Sequence, residues 1–327
     1  MSKLQILIPQ YNEDNNTIKP LLDSIAIQQG VNLKEDIEVF IGNDGSDTKI
    51  SENFLKEYSF PIRYYMFEHA GLAATRGKLQ HEATADYIMF CDADDKFIST
   101  IALQLIFMNI KKGFDALIFS FVEEHKEPSI LIFHDNDTVF VHGKVYRRQF
   151  LIDNKIEWNP LLREHQDSAF NVLARTLSKK TPICKIPIYM WCDNPNSICR
   201  HDGKYHAPNT WCSMIDSYDS VVTDFMKRGY GEHAKYYAVW CLYATYYEMS
   251  HEAWMEDCMA ENRLKTYKKI VWFCNKYALL IDNCSEEKEE EISQRTKQVA
   301  QRRGKLGDMP SFDEWIENIL KIYKISR

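Results

Sequence analysis

The sequence has no run of the roughly 18 consecutive apolar residues that a bilayer-spanning helix requires, so no membrane span is expected. Its amino terminus, MSKLQILIPQYNED, holds an apolar stretch too short for a secretory leader. Positive charge is in deficit: 40 Lys and Arg stand against 47 Asp and Glu, a formal net charge of -7. That balance removes any overall attraction to nucleic-acid phosphates, although a local basic groove stays compatible with it. No pair among the nine cysteines has the CxxC spacing of a zinc or redox site. An odd, scattered set reads as reduced, mostly buried thiols in a cytoplasmic protein. Internal repeats and low-complexity tracts are missing too.

What is present suits a folded core. Hydrophobic residues make up 45% and aromatics 13% of the 327 residues, and that length points to two domains rather than one. Residues 4–8, 37–42, 62–67, 87–91 and 116–122 are short apolar runs rich in β-branched and aromatic residues, as strands buried on both faces are. Segments of helical periodicity alternate with them at 17–29, 50–57, 71–85 and 100–112. The alternation predicts an α/β fold with a mostly parallel sheet flanked by helices, whose ligands bind at the carboxyl ends of the strands. Beyond residue 125 short strand-like pieces (130–133, 138–141, 186–191) surround a helix starting near Gly143 and another from about Asp167 to Leu177. From residue 206 the pattern becomes helical, so the domains are expected at 1–205 and 206–327.

Polar clusters gather where the strands end. The first run leads into Pro9-Gln10-Tyr11-Asn12-Glu13 and the second into Asn43-Asp44-Gly45-Ser46-Asp47. A tyrosine there can stack on a base and a carboxylate can accept from a base N–H, while Asn-Asp-Gly-Ser is also ordinary turn chemistry. The fourth run passes directly into Asp92-Ala93-Asp94-Asp95. Like charges this close raise one another's pKa unless a cation intervenes, and oxygen-only ligation favours Mg²⁺ or Mn²⁺. Asp94 is the first choice as metal ligand, with Asp92 nearer a ribose and Asp95 nearer the transferred group. The competing reading is a solvated acidic turn capping the helix near Thr100. Asp167, at a helix start, suits a base that takes a proton from an attacking hydroxyl; the competing reading, an N-cap on the 168–177 helix, is compatible with that role.

The ordered set IPQYNED, IGNDGSDT, GLAATRGKLQHEATADYIMFCDADD, HGKVYRRQFL and EHQDSAF resembles the inverting family 2 glycosyltransferases of GT-A fold over about residues 3–200. The resemblance implies that Pro9, Tyr11 and Glu13 line a nucleotide pocket and that Asp44 contacts the base. Arg76 would help hold the nucleotide, Asp92 and Asp94 would form the DxD pair, and Asp167 would be the catalytic aspartate. Gln166 stands where the family commonly has Glu, and Gly77 where Asn usually follows the arginine. In the later loop Arg200 and His201 could close over a diphosphate, His201 as a further metal ligand, with Lys204 and His206 weaker candidates. Lys144, Arg147 and Arg148 read either as solvated helix charges or as phosphate contacts.

The expected activity is transfer of a sugar from a nucleoside-diphosphate donor, a UDP-sugar by resemblance, to an acceptor hydroxyl. Glycans, lipids, proteins and modified viral DNA all remain open as acceptors. Two other classes compete. A nucleotidyltransferase is disfavoured because LQILIPQYNED contains no glycine for a phosphate loop, and a silent sugar-nucleotide-binding module because both Asp94 and Asp167 are present. The aromatic stripe at 236–247 is expected in a core or in a homodimer contact of the helical domain.

Overall fold

Leu4–Gln10 (β1) is buried at all seven positions, as a strand covered on both faces must be. It pairs in parallel with Ile37–Asp44 (β2) on one side and Tyr87–Phe90 (β4) on the other, and Ile62–Phe67 (β3) extends the sheet beyond β2. Helices Asn15–Ala26 (α1), Glu52–Leu55 (α2) and Leu72–Glu82 (α3) supply the crossovers. In α1, Ile18, Leu21, Leu22 and Ile25 face the sheet while Asp14 caps the first turn through the Thr17 N–H. The parallel register puts Gln10, Asp44 and the chain just after Phe90 at one edge of the sheet. The computed structural model describes residues 3–126, 129–194, 200–201, 204–205, 210–249, 260–302 and 310–323.

Further along come Lys96–Phe97 (β5), Ala102–Ile110 (α4), Ala116–Lys126 (β6), Ser129–His134 (β7), Lys144–Arg147 (β8), Arg148–Asp153 (α5), Gln166–Leu177 (α6) and Ile183–Trp191 (β9). They complete a nine-stranded mixed sheet of order β3-β2-β1-β4-β8-β6-β9-β5, with β7 paired to β6. Arg200–His201 (β10) and Lys204–Tyr205 (β11) form a separate antiparallel pair.

Two expectations fail here for visible reasons. The helix expected near Gly143 starts only at Arg148, because residues 144–147 form a strand inserted antiparallel between β4 and β6. Gly143 has φ +67° and a Cβ there would lie 3.0 Å from the Phe119 carbonyl oxygen, so this glycine turns the chain into the strand. Residues 138–141 are not a strand either: the N–H groups of Val139 and Phe140 both donate to Asp137 Oδ1 at 2.8 Å, a side-chain-closed turn. Lys144 is buried against Asp137 and the Phe140 carbonyl and Arg147 pairs with Asp115 at 2.6 Å, which leaves neither for a phosphate.

The chain divides into two compact units, Met1–His206 and Ala207–Arg327. The second comprises helices Thr210–Lys227 (α7), Gly231–Met249 (α8), Ala260–Lys276 (α9), Ala278–Asp282 (α10), Glu286–Arg302 (α11) and Phe312–Tyr323 (α12). The aromatic stripe of α8 is spent within this unit: Tyr243 stacks on Phe312 at 3.9 Å and the Trp240 indole donates to the Tyr218 hydroxyl. Among the described residues, no helix is long and apolar enough to cross a membrane.

Packing between β2, β3 and α3 is tight at Gly42, where an added Cβ would lie 2.9 Å from both Leu79 Cγ and Phe67 Cε2. Gly42→Ala should therefore cost about 1–3 kcal/mol by overpacking, read as a lowered midpoint in urea unfolding. An unchanged midpoint would contradict this packing.

Candidate functional site

β4 delivers its three carboxylates into different surroundings. Asp95 is fully buried: its Oδ2 accepts from the Tyr189 hydroxyl at 2.7 Å and its Oδ1 from the Cys192 N–H at 2.8 Å. The sequence reading put Asp95 beside the transferred group; the structure makes it an internal brace, with both oxygens used by β9 and the segment after it. Burial, with Asp94 and Asp92 adding like charge, holds its pKa well above the carboxylate range. Asp94 Oδ2 accepts from the Asn194 amide at 2.7 Å. Asp92 keeps a side-chain exposure of 28%, and its N–H donates to the same Tyr189 hydroxyl at 2.9 Å. No acid caps α4, whose cap residue is Ile101, so the reading of this cluster as a helix cap fails.

Arg76, on α3, is 1% exposed. One guanidinium nitrogen, Nη2, donates to Asp92 Oδ1 at 2.6 Å and the other, Nη1, to Asp167 Oδ1. The sequence reading set Arg76 against the nucleotide; in the structure its guanidinium joins the carboxylate after β4 to the carboxylate of α6. Burial alone would lower the arginine's pKa, but the two carboxylates outweigh it and the pKa rises. For Asp92 burial pushes the pKa up, and Arg76 with His142 more than reverses it. For Asp167 burial, helped by Asp92, prevails over Arg76 and the pKa is raised.

Asp167 is not the N-cap of α6. That position belongs to His165, held at φ 54° and ψ 17° in the left-handed region, and Asp167 follows in the first turn. Its second oxygen accepts from the Val141 N–H at 3.2 Å. The left-handed residue two positions earlier turns the chain so that the first helical turn aims its carboxylate at Arg76.

At the β1 and β2 ends, Tyr11 is 50% exposed and stacks on His69 with centroids 4.7 Å apart, while Pro9 is buried within β1. Asp44 is buried and accepts from the N–H groups of Ala70 and Gly71, each at 2.8 Å, with His69 Nδ1 3.0 Å from its Oδ2. Gly45 permits this closure: its φ is +70° and a Cβ would lie 2.7 Å from the His69 nitrogen. Glu13 accepts from the Tyr11 N–H. Burial, with lesser contributions from Asp94 and Asp92, pushes its pKa up to about 7.

Two sets of side chains could hold a cation. Asp92, Asp95 and His142 offer ligand atoms within 4.8 Å of one another, and burial lowers the His142 pKa to about 4, leaving a neutral imidazole. An ion there would share the Asp95 oxygens with Tyr189 and Cys192. Asp92 and Asp94 form the second set, more open and all-oxygen, next to Glu13. Their oxygen-only donor chemistry fits a hard divalent ion. Arg200 and His201 lie on β10, but their side chains and that of Lys204, together with all of His206, lie outside the described residues. Sequence reasoning gave no role to His142, Tyr189, Asn194 or Trp158, although His142 opens the HGKVYRRQFL motif and Asn194 lies in the segment that leads to Arg200.

The chain belongs to glycosyl transferase family 2, whose model matches residues 5–168, half of its length. Glycosyltransferase GlyA of Streptococcus pneumoniae is 28% identical over 158 residues, 47% of this chain and 22% of that protein. An uncharacterized glycosyltransferase of Rickettsia bellii is 36% identical over 110 residues, 33% of this chain and 15% of its own length. The chain thus covers less than a quarter of either relative. The fold matches S. aureus TarS 1–349 in complex with UDP, with a TM-score of 0.65 at 15% identity over 99% of this chain and 92% of that one. The same fragment in complex with UDP-GlcNAc gives a TM-score of 0.62 at 15% identity, over 93% and 92% of the two chains. The mixed, mostly parallel sheet with its flanking helices is thereby a GT-A fold.

Glu13 supplies a test of what burial does to a carboxyl at this rim. A carboxyl whose folded pKa is raised contributes stability that is complete below its unfolded value near 4.5 and lost as the pH climbs through about 7. Relative to wild type, Glu13→Gln should gain up to about 3 kcal/mol between about pH 4 and about pH 8 in urea unfolding. A difference that does not change with pH contradicts the raised Glu13 pKa.

Proposed function

We propose that this chain transfers a sugar, with inversion, from a nucleoside diphosphate to an acceptor hydroxyl, with Asp167 as the general base. The carrying observation is the Arg76 bridge, which sets a carboxylate of the strand edge and a carboxylate of α6 one guanidinium apart. A transfer reaction needs such a pairing, one group near the departing diphosphate and one near the attacking oxygen.

Asp167 would accept the hydroxyl proton at a carboxylate oxygen. Its raised pKa makes it a stronger base than an exposed aspartate, and Arg76 with the Val141 N–H fixes its orientation. A single displacement with one base and no carboxylate nucleophile inverts the anomeric centre. Asp92 and Asp94 would hold Mn²⁺ or Mg²⁺, which supplies positive charge to the diphosphate. The base of the donor would lie on the Tyr11 ring, where His69 now stacks, with Asp44 turned by the 69–71 turn toward its N–H groups. Asp95 would keep Asp92 and Asp94 in place from below. A UDP-sugar is the favoured donor, supported by the UDP and UDP-GlcNAc complexes of the S. aureus TarS fold. The helical unit would shape acceptor choice or self-association.

Asp167→Asn and Asp94→Ala should each lower release of UDP from UDP-sugars with Mn²⁺ by about 10²–10⁴-fold while leaving circular dichroism unchanged. Full turnover in both variants discards the mechanism.

A further inference from the structure

We propose that Trp158 is a positioning residue of the transfer reaction, acting through Arg76 and touching neither substrate. The inference rests on the reading of Asp92 and Asp167 given above. The indole covers the face of the Arg76 guanidinium, with the Arg76 Cζ 5.0 Å from the ring centroid. The two carboxylates grip the guanidinium by its edge, and edge bonds alone leave it able to tilt. An aromatic face closes that freedom and keeps water out of the ion pairs. The Arg76 Nε is buried without a hydrogen-bond partner, so no further donor contact fixes the tilt.

Trp158 is itself held by rings from both sides of the site. It stacks on Phe170 at 4.4 Å with an interplanar angle of 9°, and stands edge-on to Phe90 at 5.0 Å. Phe170 lies on α6 three residues after Asp167; Phe90 ends β4 two residues before Asp92. The indole is thus wedged between the two elements that carry the carboxylates, and its thickness sets the span that Arg76 must bridge. Its own Nε1 is buried without a hydrogen-bond partner, so packing rather than polar contact positions it. On α3, the Gln80 amide donates to the Ile156 carbonyl at 2.8 Å, tying this helix to the segment that presents Trp158. At Gly77 a Cβ would already touch the Trp158 Cβ at 3.7 Å, so the glycine after Arg76 suits the indole's approach.

The test compares Trp158→Phe, which retains an aromatic face, with Trp158→Leu, which does not. With a UDP-sugar and Mn²⁺, Trp158→Leu should lose at least about tenfold in kcat with donor KM within about threefold, and Trp158→Phe should keep kcat within about threefold. Equal losses in the two variants, a loss confined to KM, or no loss in either overturns the proposal. A second readout needs no turnover: the Arg76 Nε–Hε resonance in ¹⁵N-labelled protein should be shifted upfield by the indole and return toward the ordinary position in Trp158→Leu. An unshifted wild-type resonance overturns the proposal. Absence of wild-type turnover on every sugar nucleotide, with the resonance shifted, sinks the transferase reading and leaves the Trp158–Arg76 contact standing.

Discussion

A charged guanidinium with 1% exposure is the constraint around which the first unit is arranged. Removing such a cation from water costs several kcal/mol, recovered only when its partners are placed and hydrogen-bonded well. Arg76 meets that cost with Asp92 and Asp167, which come from regions of the chain far apart in sequence. The ion pairs therefore fix the distance between β4 and α6. Loss of either carboxylate would strand a buried charge, so the geometry of the site and the stability of its floor are the same problem. Dipoles and charges fixed before substrate arrives need not reorganise during the reaction.

The other carboxylates are graded by depth. Asp95, at the bottom, is satisfied by Tyr189 and Cys192, and the Tyr189 hydroxyl also receives the Asp92 N–H. Asp94 is met by Asn194 from the segment after β9. One short acidic run thus does structural work at one residue and leaves its neighbours nearer the surface, because a turn at a strand end points successive side chains in different directions. Burial separates their proton affinities in the same way: Asp92 is held low by Arg76, while Asp167 and Asp95 are raised.

Local patterns explain which parts were legible. Strands buried on both faces announce themselves as continuous apolar runs, as β1, β2, β4 and β6 do; β3 carries such a run too, but it is the edge strand and none of its residues is buried, so there the expected burial fails. The KVYR strand did not announce itself, because four residues carry no period and their partners come from β4 and β6. At the site, Asp92, Asp94 and Asp167 were visible as carboxylates at element ends. The depth of Asp95 and the partners of Arg76 were not, since depth depends on which distant segments arrive: Tyr189 lies 94 residues from Asp95, and Asp167 lies 91 from Arg76. Aromatic residues are the least legible of all. Trp158 reads as core in any sequence, and only its ring geometry separates a wall from a positioning surface.

A carboxyl buried at the rim has a consequence for how such a site is maintained. Burial, with lesser contributions from Asp94 and Asp92, is what pushes Glu13 up. A folded state carrying uncompensated like charge is less stable than it need be, and whatever neutralises that charge stabilises it by mass action. In the proposed reaction, the term that lowers stability in the free protein would become affinity for a cation and its diphosphate. Replacing these carboxylates by amides would relieve the repulsion and remove the reason to bind, a trade between stability and function that a buried structural carboxylate such as Asp95, fully paired, does not enter.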